Sequence, residues 1–159
     1  MKPYGPLMVE HRLIERMVGV LKKRKKIDDD LIKKTVDFFR NYADNRHHGK
    51  EEKILFKRLE KKDMTPGLKK IMKRLIKEHE QGRAIIKSLE KNDKDAKKLI
   101  KDLIKLYPPH IDTEDNDFFL PCMQYLSEKE QKKMVDEYKK VDKKYPESKY
   151  RKMVEQLIK

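Results

Sequence analysis

The sequence predicts an all-α protein, an up-down four-helix bundle followed by additional C-terminal helical segments. Lys, Glu, Leu and Ile are abundant, and the 159 residues include only 5 glycines, a composition typical of helical proteins. Apolar residues recur at alternating three- and four-residue spacing, which is the period of an amphipathic helix. No hairpin signal such as Asn-Gly is present, so the sequence does not indicate strands.

The first three bundle helices have recognisable starts. An apolar stripe at helical spacing predicts the first helix over 6–25. Asp28 to Asp30 offer an N-cap for a long second helix over about 29–61. Thr65 and Pro66 mark the start of the third helix, because threonine caps well and proline fits the first helical position.

The fourth helix contains two prolines. Asn92 and Asp93 are expected to end the third helix, and the fourth is expected to begin near residue 94. Proline removes a backbone donor and clashes with the preceding turn. Pro108-Pro109 should therefore kink the fourth helix or make it restart.

The C-terminal part predicts further helices. Ser127 and Glu130 have the spacing of a capping box, which indicates a helix that begins there. Residues 146–159 are expected to form a last short helix or a loosely docked tail. The predicted organisation is a bundle over 1–126 and a helical extension over 127–159 that packs on the same domain.

The formal charge of +14 has two interpretations. A basic surface can attract a polyanion such as nucleic acid, or it can be a solvated surface of mixed lysines and acids, as in heat-adapted proteins. The basic blocks are interleaved with acidic residues, and the sequence lacks an aromatic-rich motif of the kind that readers of single-stranded nucleic acid use. The sequence therefore disfavours nucleic acid as the partner.

The sequence also indicates a location. No apolar run is long enough to cross a bilayer, so no membrane partner is expected. The single cysteine, Cys122, cannot form an internal disulfide, which agrees with a reducing compartment. We therefore predict a cytoplasmic protein.

Histidines lie on the apolar faces of all four bundle segments. The histidines on these stripes are His11, His48, His79 and His110. Glu52 and Glu114 each follow one of them by four residues and therefore share its face. A buried carboxylate is costly unless it is paired or bound to a metal. The joint pattern predicts four imidazoles and two carboxylates around a pair of first-row metal ions.

Four stretches resemble the hemerythrin-like, HHE cation-binding family. They are LMVEHRLIERM (7–17), YADNRHHGKEEKILF (42–56), KEHEQGRAII (77–86) and YPPHIDTEDNDFFLP (107–121). They occur in the family's order, one on each bundle helix. The resemblance implies a hemerythrin-like bundle with a non-haem diiron centre, oxo- or hydroxo-bridged, that binds, senses or reacts with dioxygen, peroxide or nitric oxide.

The resemblance also implies a ligand set. The six implied ligands are His11 with His48 on one iron, His79 with His110 on the other, and Glu52 and Glu114 as bridges. Asp115 is the rival of Glu114, because the oxygen carriers of the family space this pair one residue wider. His47 and Glu51 are turned away by about 100° on a regular helix, so replacing Glu51 is expected to matter little.

Arg83 is where the sequence departs from the oxygen carriers. They have a second histidine four residues after the one that matches His79, whereas this chain has Arg83. Arginine is always charged and cannot ligate iron. The expected site therefore has four histidines instead of five, and Arg83 pairs with an inner carboxylate or reaches solvent. Tyr42 and Tyr107 could donate hydrogen bonds to a ligand or to a bridging carboxylate.

Two other functions stay open at this point. One is a basic helical module for nucleic acid or an acidic partner, and the other is a zinc or other dimetal protein without oxygen chemistry, since imidazoles also suit zinc. The ligand set is common to carriers, sensors, iron stores and enzymes. The sequence indicates neither a redox partner nor an oligomeric state.

Overall fold

A computed structural model of the chain describes residues 1–91 and 93–159. Asn92, expected at the end of the third helix, lies outside the described residues. Within the described residues the protein is all-α, with six helices and no strand, which confirms the predicted fold class. No helix in this part of the chain is long and apolar enough to span a membrane.

Four long helices form the bundle and two shorter ones follow. Their bounds are Tyr4–Lys23 for α1, 29–59 for α2, Pro66–Lys91 for α3, 96–123 for α4, Glu128–Lys144 for α5 and Glu147–Ile158 for α6. A 3-10 turn at Asp93–Asp95 precedes α4. Within α2, the stretches Phe38–His48 and Glu51–Phe56 are π-helical. Within α4, the stretch Glu114–Phe118 is also π-helical.

The helix starts follow the local chemistry of the sequence. Asp28 accepts a hydrogen bond from the backbone N–H of Leu31 at 2.9 Å. Thr65 accepts one from the backbone N–H three residues later, at 3.3 Å. Ser127 and Glu130 make both hydrogen bonds of a capping box. Each bond satisfies a backbone donor that the first helical turn leaves free, so the three predicted caps are confirmed.

The two prolines do not interrupt α4. Pro108 and Pro109 both lie inside the regular helix Ala96–Thr113, so the restart considered from the sequence is wrong. The irregular turn comes later, at Glu114–Phe118. Such π-helical turns are wider because their hydrogen bonds join residues five apart, and they occur frequently at functional sites.

Two apolar clusters fill the interior of the bundle. One cluster has residues of all four bundle helices, among them Ile14, Phe39, Ile86 and Tyr107. The other also draws on all four, among them Leu7, Leu55, Leu75 and Phe118. On α1, α2 and α3 the histidines lie in sequence between the residues of the two clusters, and on α4 His110 lies at the end of the first cluster that faces the second. A polar layer is therefore enclosed between two apolar ones, each of whose buried side chains contributes about 1.5–3 kcal/mol.

The C-terminal helices extend both clusters. Tyr150, Val154 and Leu157 of α6 belong to the first cluster, and Met134 and Tyr138 of α5 belong to the second. Both helices therefore bury their apolar stripes against the bundle. The domain boundary at residue 126 stays a prediction.

Candidate metal centre

Seven buried ligand-type side chains form the polar layer. They are His11, His47, His48, Glu51, His79, His110 and Glu114, and none is more than 3% exposed. They make two overlapping groups whose ligand atoms lie within 4.8 Å of one another: His48, Glu51, His79 and His110 in one, and His11, His47, Glu51 and Glu114 in the other. All 5 histidines of the chain lie in this layer.

Glu51 belongs to both groups. Its Oε1 lies 3.1 Å from Nε2 of His79, and its Oε2 lies 3.3 Å from Nε2 of His47. The carboxylate therefore presents one oxygen to each group. This is the arrangement that a carboxylate needs if it is to bridge two cations.

Glu114 spans the two groups from α4. Its Oε1 lies 3.0 Å from Nε2 of His11 and 3.3 Å from Nε2 of His110. Asp115, the alternative bridge considered from the sequence, lies outside the layer and contacts Nδ1 of His11 at 2.7 Å. Of the two carboxylates, the structure brings Glu114 into the layer.

Several buried atoms of the layer lack a hydrogen bond within the part of the chain that the structure describes. They are both carboxylate oxygens of Glu51, Oε2 of Glu114 and Nε2 of His47. Some of them approach one another as ion pairs, but none makes a hydrogen bond. An unsatisfied buried polar group costs about 1–3 kcal/mol, and more when it is charged. Each of these atoms can offer a lone pair to a cation, so the residues present fit a pair of metal ions.

A carboxylate contacts the outer nitrogen of every histidine. The Nδ1···O distances are 2.7 Å for His11 and Asp115, 3.0 Å for His47 and Glu10, 3.1 Å for His48 and Asp44, 2.6 Å for His79 and Glu52, and 2.8 Å for His110 and Glu78. An Nδ1–H that donates to a carboxylate leaves Nε2 with its lone pair directed inward. Metal-binding histidines almost always have such a partner, which fixes the ring and raises its basicity.

The electrostatics of the layer favour bound protons when no cation is present. Burial and the charge of Glu114 raise the pKa of Glu51 to about 8. Burial lowers the pKa of His110, but the neighbouring carboxylates Glu114, Glu78 and Glu51 together outweigh this effect and raise the pKa to about 10. Burial and the neighbouring His79 hold the pKa of His48 well below its usual value. At neutral pH the layer therefore holds protons on some of its ligand atoms.

The structure reverses two orientations that the sequence predicts for α2. Glu51, expected to point away, is fully buried, and so is His47, which faces it. Glu52, expected to point inward, has a side chain that is 26% exposed. It contacts Nδ1 of His79 and accepts a hydrogen bond from Arg83. The structure therefore places Glu51, and not Glu52, between the two groups.

The physical reason is the π-helical hydrogen bonding of α2. The prediction assumed 3.6 residues per turn, which aligns His48 with Glu52. In the π-helical stretches Phe38–His48 and Glu51–Phe56 each turn contains more residues. The inward face therefore widens, and His47, His48 and Glu51 all reach the layer.

The expected count of four inward histidines is also corrected. The sequence pairs His48 with His11, but the structure groups His48 with His79 and His110. His47 takes the place beside His11. The chain therefore has five inward histidines, with the fifth supplied by α2.

Arg83 lies at the edge of the layer. Its Nε donates to both carboxylate oxygens of Asp44, at 2.9 and 3.0 Å, and its Nη2 donates to Glu52. These carboxylates contact the outer nitrogens of His48 and His79. One of the two predicted roles of Arg83 is pairing with an inner carboxylate. Arg83 does pair with carboxylates, but they lie outside the layer and contact the Nδ1 atoms of His48 and His79.

The two tyrosines considered from the sequence differ in position. The ring of Tyr107 stacks on that of His48, with centroids 6.2 Å apart. Gly82 leaves room for it, because a Cβ there would lie 3.3 Å from the Tyr107 hydroxyl. Tyr42 instead donates to Glu147 at 2.9 Å. Tyr107 therefore contacts the layer, whereas the hydroxyl of Tyr42 binds α6.

Sequence reasoning missed three of the outer carboxylates, Glu10, Asp44 and Glu78. A signal for them exists, since Glu10 directly precedes a ligand-type histidine and Asp44 precedes His48 by four residues. Glu78 likewise stands next to His79. Acidic residues at such spacings are too common in a chain with 28 of them to indicate a contact without the structure.

A helical bundle with histidines and carboxylates projecting into its middle defines a cation-binding four-helix-bundle domain. Residues 3–120 match the model of the hemerythrin HHE cation binding domain. The chain belongs to this family, which confirms the resemblance found in its sequence. Searches among curated proteins and among solved structures found no significant match.

Proposed function

We propose that the protein holds a pair of iron ions, oxo- or hydroxo-bridged, and binds, senses or reacts with dioxygen, peroxide or nitric oxide. The proposed ligands are His48, His79 and His110 for one ion, His11 and His47 for the other, and Glu51 and Glu114 as bridges. The observation that carries the proposal is the pair of buried groups that share Glu51. Its two oxygens face different groups and have no hydrogen-bond partner in residues 1–91 and 93–159.

The donor set supports a pair of ions of the iron type. Structural zinc sites are almost always closed, four-coordinate and tetrahedral, whereas shared carboxylates with imidazoles suit two ions that each take more ligands. When bound, an iron pair supplies one- and two-electron chemistry with oxygen species. The group of His11 and His47 has one histidine fewer than the other, and we propose that it takes the small ligand.

The residues around the proposed ligands exclude water and fix the imidazoles. Phe119 stacks on His11 with ring centroids 5.7 Å apart, and Phe56 stacks on His79 at 5.9 Å. These rings belong to the second apolar cluster. Together with the outer carboxylates they preorganise the layer, so that little rearrangement is needed when metal binds.

Metal analysis tests the proposal directly. Protein loaded anaerobically with ferrous iron and then desalted should retain about two irons per chain. After oxidation it should show near-ultraviolet absorption that changes when azide, peroxide or nitric oxide is added. Folded protein that retains no iron would refute the proposal. Zinc retained in preference to iron, in protein from its native source, would favour a dimetal protein without oxygen chemistry.

Metal uptake is expected to depend on pH. Burial and Glu114 raise the pKa of Glu51 to about 8, and the pKa of His110 is raised to about 10. Both groups therefore hold protons at pH 7 that a metal ion must displace. Apparent affinity should increase as the pH rises from 6 to about 8. Loading in weakly buffered solution at pH 7 should release protons, and uptake without proton release would contradict this expectation.

A cytoplasmic location is part of the proposal. Its support is the single cysteine, Cys122, which is buried as a free thiol. Burial raises the pKa of this thiol to about 12, so it stays protonated and poorly reactive. Such a thiol is compatible with a reducing compartment.

A further inference from the structure

Tyr138 is a buried phenol without a hydrogen-bond partner among the described residues. It lies on α5, outside the residues 3–120 that match the family. The side chain is 1% exposed, and its hydroxyl makes no hydrogen bond to any residue that the structure describes. Buried tyrosine hydroxyls usually find a partner, and leaving one unsatisfied is costly. A molecule that binds beside this hydroxyl could supply the missing hydrogen-bond partner.

A chain of contacts links Tyr138 to the two-histidine end of the metal centre. The Nζ of the fully buried Lys50 lies 5.5 Å from the centroid of the Tyr138 ring. Lys50 donates to Glu10 at 2.8 Å, and Glu10 contacts Nδ1 of His47 at 3.0 Å. Tyr138 also shares its apolar cluster with Phe119, the ring that stacks on the histidine of α1. Tyr138 is thus linked to His47 through Lys50 and Glu10, and it lies in the same apolar cluster as the ring that stacks on His11.

Ion pairs hold α5 in this position. Asp142 contacts Lys50 and lies 3.2 Å from the guanidinium of Arg46. One turn earlier on α5, Glu137 accepts hydrogen bonds from Arg58. These partners lie on α2, the helix that carries His47. The position of Tyr138 relative to the centre is therefore fixed from both sides.

The electrostatic surroundings keep the phenol protonated. Burial, followed by the negative charges of Glu51 and Glu10, raises the pKa of Tyr138 well above its usual value. A protonated phenol can donate a hydrogen bond. Tyr138 thus offers a donor on the side of the centre that has the fewest histidines.

We propose that Tyr138 donates a hydrogen bond to a small polar or anionic ligand held at the His11 and His47 end of the metal centre. This inference rests on the proposed function, since it requires a ligand at the centre. It makes α5 a part of the binding site and Tyr138 a residue that determines ligand specificity. The ligand would thus supply the partner that the hydroxyl lacks among the described residues.

Azide binding to oxidised, iron-loaded protein tests the inference. Tyr138→Phe removes only the unpartnered hydroxyl, so the iron content and the thermal midpoint of the metal-free protein should not fall. Azide affinity should weaken roughly tenfold or more, because a donor to a charged ligand is lost. The infrared stretch of bound azide should shift between H2O and D2O in the wild type, and this shift should be smaller in the variant.

Tyr150→Phe is the matched control. Tyr150 is also a buried tyrosine of the C-terminal helices, but its hydroxyl donates to Asp37 at 2.9 Å and it belongs to the other apolar cluster. This variant should lower the thermal midpoint slightly and leave azide affinity unchanged. The comparison distinguishes a tyrosine hydroxyl that stabilises the fold from one that donates a hydrogen bond to the ligand.

The outcomes that overturn the inference are distinct from failure of the proposed function. Wild-type azide affinity and an unchanged solvent shift in iron-loaded Tyr138→Phe would overturn the inference alone. A lower thermal midpoint of the metal-free variant would also overturn it, because the hydroxyl would then stabilise the fold. If neither protein retains iron, the proposed function fails first, and the role of Tyr138 fails with it.

Discussion

Glu51→Ala is expected to abolish tight binding of both metal ions. Glu51 is the only residue that belongs to both ligand groups among the described residues, and its two oxygens face histidines of different groups. Its removal leaves Glu114 as the single carboxylate shared between the ions. Iron retained after loading and desalting should fall from about two per chain to nearly none, as measured by metal analysis.

Glu52→Ala is the matched control, one residue along the same helix. Glu52 contacts the outer nitrogen of His79 and pairs with Arg83. Loss of such a partner typically weakens metal affinity about 10–100-fold, so this variant should still take up two irons when metal is in excess. Circular dichroism of both metal-free variants should show folded helical protein. If Glu52→Ala lost both irons and Glu51→Ala retained them, Glu52 would be the bridging residue, as a regular helix predicts.

The contrast between these residues shows how far the sequence alone can locate the site. His11 and His79 lie in regular α-helix, where the 3.6-residue period assigns an inward face correctly. His110 and Glu114 were also placed correctly, because they lie at or before the start of the wide turn in α4. The helix starts were equally predictable, since caps depend on local side chains.

The parts that could not be predicted depend on hydrogen bonding within a helix and on contacts between helices. No residue type predicts a π-helical stretch. The regular period of 3.6 residues per turn, applied to α2, therefore points Glu52 inward instead of Glu51. Glu10 is a similar case. Glu10 stands next to His11 in the sequence of α1, but the histidine that it contacts is His47 on α2. Such contacts arise from tertiary packing, which the local pattern does not encode.

His48→Ala is expected to weaken the three-histidine end of the centre selectively. The structure groups His48 with His79 and His110, whereas its neighbour His47 belongs to the other group. Loss of a direct ligand should exceed the roughly 10–100-fold effect of losing an outer partner. After loading with excess iron and desalting, the variant should retain about one iron per chain. Retention of two irons with wild-type affinity would show that His48 does not bind the metal.

A second substitution tests whether the fifth histidine has moved from α3 to α2. The oxygen carriers that this chain resembles have a histidine at the position of Arg83, one turn after the residue that matches His79. Arg83→His in the His48→Ala background places an imidazole at that position and should restore part of the lost affinity, measured as iron per chain. Arg83→His alone should restore nothing, because His48 already occupies the group. Equal iron retention in the single and double variants would contradict an exchange between the two helices. Recovery would show that one ligand position can be filled from either helix, with Arg83 free to pair with Asp44 and Glu52 because α2 supplies the imidazole.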